Sequence, residues 1–331
     1  MSLRILKAGM LDSIQDMGRF GYQHQGINPS GAMDKFAASL ANALVGNNVN
    51  EAVLEMHFPA AIVLFDQPVI IALAGADFNA TINGDPVPVN RPLLVNKSSI
   101  LQFHAKKNKA RCYLAIQGGF CIEKWLNSYS TNLKAETGGM EGRKLKKDDL
   151  IELRAAPALE KSLADHDFKI LSWNANEVWQ EDLEKEILIL PGAEWSWLDK
   201  KSQQLLLSGF FTITNNSDRM GYRLKGDPLF TVSKEELVSS AICFGTLQLL
   251  PDGQLIVLMA DHQTTGGYPR VANIISAQLP LLAQMNAGEK IKFRITDQAT
   301  AEKLFIKQKL HLLQLQIACK LRLENFIHEI N

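Results

Sequence analysis

The chain has 331 residues, 46% apolar and 21% charged, which suits a folded globular protein and excludes a disordered or fibrous one. Lys plus Arg and Asp plus Glu stand at 35 each, so the formal net charge is zero. That balance gives no electrostatic case for nucleic acid or an anionic membrane as partner. Cys112, Cys121, Cys243 and Cys319 form no CxxC pair, which argues against a zinc knuckle or a disulfide framework and for a reducing cytoplasm. No metal-ligating cluster is expected. The opening Met1-Ser2-Leu3-Arg4-Ile5-Leu6 has no signal-peptide core, and the longest apolar run, residues 68–76, is far short of the roughly 20 residues of a membrane helix.

In chain order, the first notable segment is Ser13-Ile14-Gln15-Asp16-Met17-Gly18-Arg19, continuing to Pro29-Ser30-Gly31-Ala32-Met33-Asp34. It has little hydrophobic periodicity, so polar contacts must order it, its own or a ligand's. Arg19 offers a planar donor fork that suits carboxylate or phosphate. The plainer alternative is an Asp16–Arg19 pair that pins a loop. Residues 34–44 read as a helix that Asp34 caps and Gly46-Asn47 stops. Residues 61–65, 69–73 and 112–116 read as strands, and Asn83-Gly84 marks a hairpin. The Gly-rich run Thr137-Gly138-Gly139-Met140-Glu141-Gly142-Arg143 could form an anion nest or simply turn.

The pattern weakens between about 155 and 176, where Ala155-Ala156-Pro157-Ala158 looks like a connection. A second β-rich block follows at 187–190, 211–214, 246–249 and 291–295. The spacing therefore predicts two mainly-β domains, 1–160 and 161–297. A tail, 298–331, is expected to form an amphipathic helix through Leu304, Phe305, Leu312, Leu315, Cys319 and Leu323, with Lys and Gln on much of its other face.

Two clusters in the second block could carry chemistry. Asn216-Ser217-Asp218-Arg219-Met220-Gly221-Tyr222-Arg223 holds two arginines four apart, which would point the same way if the segment is extended. The strand-like run Leu255-Ile256-Val257-Leu258-Met259 delivers Asp261-His262-Gln263-Thr264-Thr265-Gly266-Gly267-Tyr268-Pro269. Acid, imidazole, amide, hydroxyls and paired glycines at a strand end are a natural mount for polar chemistry. The bland reading is a Gly-Gly turn with locally satisfied hydroxyls. There is no Walker loop, HExxH or GxSxG, and no Met-Lys-Met biotin-attachment pattern.

Taken together and in this order, these motifs closely resemble the allophanate hydrolase subunit 2 family, also called Kip-antagonist-like or biotin-dependent carboxyltransferase. Gly75-Ala76-Asp77, Gly118-Gly119 and Ser128-Tyr129-Ser130-Thr131 fall between them. The resemblance covers about residues 1–295. It implies two cyclophilin-like β-barrel domains and a subunit-1 (Kip-inhibitor-like) partner, with the active site shared. Members act in bacterial ATP-dependent 5-oxoprolinase, which also has a LamB/YcsF-like subunit and opens a lactam to glutamate. In urea carboxylase the same modules move a carboxyl group from biotin to urea. A third role is regulatory sequestration of a Kip-inhibitor-like partner. ATP use is implied for the complex, and the substrate is a small amide or lactam.

A poorly reactive amide, lactam or urea that attacks a phosphoryl or carboxyl electrophile needs a base, or a donor that stabilises developing charge on the amide oxygen. The resemblance nominates Arg219 and Arg223 for anion binding and Asp261 and His262 for proton handling or orientation. Gln263, Thr264, Thr265, Gly266, Gly267 and Tyr268 would contact substrate or nucleotide. Gln15, Asp16, Arg19 and Ser30 would complete a concave surface shared with residues 261–267. Two departures stand out: residues 55–61 replace a more usual Gly-Pro stretch, and Tyr129 replaces an Arg.

Overall fold

The computed structural model describes residues 2–154, 166–175, 186–232 and 237–330. The fold is mainly β, as the resemblance implies, with a long C-terminal helix, as the periodicity of the tail predicts. It comprises two compact units. The first takes residues 1–18, 34–176 and 310–331, and the second takes 19–33 and 177–309. The expected connection at 155–158 lies outside the described residues.

In the first unit, two six-stranded sheets face each other across one core. The first runs Leu150–Glu152, Ser2–Lys7, Ile62–Phe65, Ile100–Phe103, Ala80–Ile82 and Asp85–Pro86. The second runs Phe168–Ile170, Pro92–Val95, Val69–Gly75, Arg111–Ile116, Val53–His57 and Ser13–Gln15. Alternation decides which side chains meet. Leu54, Met56, Leu73, Cys112 and Leu114 join Leu3, Ile5, Val63 and Leu101 in the core. The opposite face of the second sheet carries Ala72, Ala74 and Ala115, whose short side chains let helix α1 (Lys35–Leu44) lie close. Asp34 caps that helix by accepting from Ala37 N at 2.8 Å, and the Trp173 indole donates to the Leu44 carbonyl at 3.0 Å. The expected hairpin turns at Asn83 and Gly84, both with positive φ. A cut near residue 160 would separate Phe168–Ile170 from the sheet it completes by pairing with Val95, Leu94 and Leu93.

The second unit is built on one eight-stranded sheet. Its order is Lys290–Ile291, Phe211–Ile213, Gly221–Lys225, Leu255–Leu258, Thr246–Leu249, Arg270–Ile274, Ile187–Pro191 and Phe293–Ile295. The first and last strands are neighbours in sequence, separated only by Lys292. One stretch of chain thus pairs at both edges and brings the sheet almost to closure, which removes exposed edges. Leu247, Leu255, Val257, Val271 and Phe293 fill its interior. Helix α2 (Lys200–Ser208), capped by Asp199, and the short helix α3 (Leu279–Ala283) complete the unit.

Helix α4 (Gln298–Ile330) gives its residues up to Lys309 to the second unit and the rest to the first. Leu312, Cys319 and Leu323 are buried and Leu304 and Leu315 half-buried, as the periodicity predicts, and Ala301 is buried with them. Phe305, expected on the same face, is 38% exposed. Among the described residues, no helix is long and apolar enough to cross a membrane.

Candidate functional site

The strand Leu255–Leu258 ends in buried Met259 and Ala260, then presents Asp261. Its neighbour Gly221–Lys225 is preceded by Arg219, and the backbone ladder runs on past the strand ends. Met259 N donates to Met220 O at 2.9 Å and Asp261 N to Arg219 O at 2.8 Å. Two buried, oppositely charged side chains are thereby set side by side. Arg219 Nε donates to Asp261 Oδ2 at 2.8 Å and Nη2 to Oδ1 at 3.1 Å. Nη2 also donates to the Gly31 carbonyl at 2.6 Å.

The segment 19–33 is fastened to this pair. Ser30 Oγ donates to Asp261 Oδ1 at 2.6 Å, and Asn28 Nδ2 donates to the Asp261 carbonyl at 3.0 Å. Ser30 has φ +55°, a left-handed conformation uncommon for a residue with a Cβ. The Asp261 carboxylate therefore accepts from a guanidinium and a hydroxyl at once. That arrangement fixes the orientation of the carboxylate and uses its oxygens to hold two other segments, as an anchor does.

His262 is buried, and its Nδ1 lies against the Gln263 carbonyl. A carbonyl only accepts, so Nδ1 carries the proton, and in the neutral ring Nε2 holds the basic lone pair. Beyond it, Gln263, Thr265, Gly267 and Tyr268 are exposed and Thr264 and Gly266 half-buried. Thr265–Gly266 pairs with Ser240–Ala241. A Cβ on Gly266 would stand 2.7 Å from Gln248 Nε2, so glycine there permits a close approach of backbone to side chain.

Arg223 does not share a face with Arg219. The regular strand starts only at Gly221, so the period-two argument does not reach residue 219. Arg219 is buried, while Arg223 is exposed between buried Tyr222 and Leu224. Arg19 is fully buried, and its N donates to Pro29 O at 2.7 Å.

Gln15 and Asp16 belong to the first unit. Gln15 is fully buried and donates from Nε2 to Ser13 Oγ at 2.9 Å and to Thr131 O at 3.3 Å. Asp16 Oδ1 accepts from Gly18 N at 2.7 Å, Ser128 Oγ at 2.7 Å and Ser130 Oγ at 2.6 Å. Its Oδ2 accepts from Tyr129 N at 2.7 Å. Tyr129 is held in turn by Arg154, which donates to its hydroxyl at 2.8 Å and forks onto Glu51 at 2.9 and 2.8 Å. The glycines of 137–142 serve packing rather than an anion nest. A Cβ on Gly139 would lie 1.9 Å from Thr131 Oγ1, and Gly142 N donates internally to Gly138 O. Arg143 forks onto Asp149 at 2.7 and 3.0 Å, which holds that carboxyl below its ordinary value.

Sequence reasoning does not single out Asn28; its place between Gly26 and Pro29 in a segment without periodicity is the available signal. A second buried group it misses is Glu55. Tyr113 Oη donates to Glu55 Oε2 at 2.8 Å while accepting from Asp34 N at 2.8 Å. Burial, then Glu55, push the Tyr113 hydroxyl well above its ordinary range.

A nearly closed sheet with a charge pair at its strand ends, joined in sequence to a two-sheet unit, defines a two-part, mainly β protein. Residues 25–295 match the family described as carboxyltransferase domain, subdomain A and B, and the chain belongs to that family. It is 36% identical over 304 residues to the C-type 5-oxoprolinase subunit of Haemophilus influenzae, covering 92% of this chain and 94% of that protein. It is also 36% identical over 291 residues to the C-type 5-oxoprolinase subunit of Escherichia coli, covering 88% and 90%. Among solved structures, K. lactis urea amidolyase superposes with a TM-score of 0.86 at 26% identity, covering 95% of this chain and 20% of that one.

Proposed function

We propose that this chain is the C-type subunit of an ATP-dependent 5-oxoprolinase. It would act with a subunit-1 (Kip-inhibitor-like) protein and a LamB/YcsF-like third subunit to open the 5-oxoproline lactam to glutamate. Two relatives that are C-type 5-oxoprolinase subunits, each 36% identical over most of both chains, support this reading. The residue assignment rests on one observation: His262 Nδ1 is tied to the Gln263 carbonyl, which leaves Nε2 as the basic nitrogen.

In this proposal His262 Nε2 takes a proton from the attacking water and returns it to the departing ring nitrogen. The C–N bond then opens to a carboxylic acid and an amine, and the acid's proton passes to the amine to give carboxylate and ammonium. Asp261 is a positioning residue that holds Arg219 and the Ser30 loop. Gln263, Thr264, Thr265, Gly267 and Tyr268 bind the lactam. ATP supplies the driving force when bound to the complex. Arg219 does not fit as its phosphate ligand, because Nε and Nη2 donate to Asp261 and Gly31. No step is therefore routed through the nucleotide.

The second reading, the carboxyltransferase half of a biotin-dependent urea or amide carboxylase, is favoured by the superposition on urea amidolyase. Reconstitution separates the two. The chain with both partner proteins should release phosphate only when ATP and 5-oxoproline are present, and the chain alone should show little activity. Carboxyl transfer to urea from a biotinylated carrier, without lactam-dependent phosphate release, would favour the second reading. Lactam cleavage by the pure single chain would overturn the need for partners.

A further inference from the structure

Residues 264–266 lie in a ribbon that is separate from the eight-stranded sheet. Ser240–Ala241 pairs antiparallel with Thr265–Gly266, and Ile242 N donates to the Thr264 carbonyl at 3.2 Å. Alternation sets its two faces. Ser240 and Gly266, opposite one another, face inward: Gly266 packs on the side chain of buried Gln248, and the Ser240 hydroxyl is buried. Ala241 and Thr265 face solvent. Two strands alone are marginal, so the ribbon takes its shape from what ties it down. Arg270, at the start of the strand Arg270–Ile274, is one tie: Nη1 donates to the Ala241 carbonyl at 3.2 Å. Glu194 fixes the rest of the guanidinium, accepting from Nε at 2.9 Å and from Nη2 at 2.7 Å. Buried Glu194 also accepts from Arg270 N at 2.8 Å, and its own N donates to the Arg270 carbonyl at 3.2 Å. Side chain and backbone together therefore decide where Nη1 points. The Arg270 guanidinium holds the Glu194 carboxyl below its ordinary value, so the clasp is ionised at neutral pH. Gln248, opposite Arg270 in the ladder, adds a weaker tie from Nε2 to the Tyr268 carbonyl at 3.4 Å.

We propose that Arg270, clasped by Glu194, is a positioning residue for substrate binding: through the Ala241 carbonyl it holds the ribbon so that Thr265 and its neighbours keep their ligand-binding geometry. This role rests on the reading of residues 263–268 as the lactam-binding segment. It also separates binding from proton transfer. His262 is held from the other side, its N donating to the Met259 carbonyl at 3.0 Å, next to an Asp261 fixed by Arg219 and Ser30. Loosening the clasp frees the binding residues and leaves the imidazole in place. A lysine cannot substitute, because one ammonium lacks the planar fork that meets both Glu194 oxygens while a third N–H reaches Ala241.

Amide hydrogen exchange on the full chain tests the clasp without any activity. In Arg270→Lys the amides of residues 240–242 and 264–266 should exchange at least about tenfold faster, as loss of a charge-assisted hydrogen bond allows. Exchange in the strand Leu255–Leu258 should stay as in the parent. Glu194→Met/Arg270→Met should behave alike, and because it leaves no unpaired buried charge it keeps the test open if Arg270→Lys folds poorly. In the reconstituted complex both variants should raise KM for 5-oxoproline about tenfold and change kcat by less than about threefold, the pattern of lost uniform binding. The acid limb of the pH–rate profile should persist. Parent-like exchange in both variants, or a fall in kcat with KM unchanged, would overturn the proposal. A parent complex that does not cleave 5-oxoproline would instead sink the lactam reading, and the exchange rates would decide the clasp by themselves.

Discussion

Asp16 and Asp261 are both buried aspartates in glycine-bearing motifs, and both hold a distant loop. Asp16 accepts only from uncharged donors: two serine hydroxyls and two backbone N–H groups. Asp261 faces a guanidinium and one serine, and the next residue is a histidine with a fixed tautomer. The first arrangement orders a loop through shared neutral bonds. The second stores a charge pair beside a buried imidazole. A buried acid in a motif can therefore be a fastener, and its donors reveal which kind.

Removing the guanidinium should have the largest effect on stability. Arg219→Ala leaves Asp261 buried and unpaired, which costs about 3–5 kcal/mol. That is enough to lower the urea midpoint clearly, so this variant alone cannot report on catalysis. A loss under about 1 kcal/mol would mean the pair contributes little to folding, against the cost expected for an unpaired buried charge. Asp16→Ala removes an acceptor from four neutral donors that can partly re-pair. The expected loss is about 2–4 kcal/mol, and Asp16→Asn should recover part of it. If Asp16→Ala cost more than Arg219→Ala, the contrast between the two hubs would fail.

A third buried acid gives a smaller and pH-dependent effect. Burial pushes the Asp12 carboxyl up to about 7 from its ordinary 3.8, against the backbone N–H groups of His57, Ala61 and Gly9 and the charge of Lys144. The folded chain thus holds this proton more tightly than the unfolded chain. Its contribution to stability is present in acid and is lost as pH rises from about 4 through about 7. The unfolding free energy from urea titrations should fall between about pH 5 and pH 8 by on the order of 1–3 kcal/mol, and Asp12→Asn should flatten that slope. An unchanged slope in the variant would assign the dependence to other groups.

Much of the fold is legible in the sequence because local signals agree with the structure. Asp34 caps α1, Asn83-Gly84 turns a hairpin, and Leu255–Leu258 is a strand that delivers Asp261. What local signals miss is long-range. Nothing in residues 19–33 says that they fold with a segment two hundred residues away, because their ordering comes from Arg219 and Asp261. The expected same-side placement of Arg219 and Arg223 fails for a related reason: alternation holds only inside a strand, and the strand begins between them. Helix α4 carries Ile306, Leu310, Leu313, Ile317 and Leu321 exposed among the Lys and Gln of its outer face, and periodicity alone does not say which of two apolar faces the fold buries.

The central claim is that Asp261 positions while His262 Nε2 carries the proton. His262→Asn in the reconstituted complex tests it most directly, since asparagine keeps an N–H for the Gln263 carbonyl but has no basic nitrogen. Lactam cleavage should fall by at least about a hundredfold, the range for loss of a general base. The melting temperature should be unchanged, and the acid limb of the pH–rate profile should disappear. A rate within about threefold of the parent, far short of the hundredfold or more expected for a lost general base, with the limb intact, would contradict the claim.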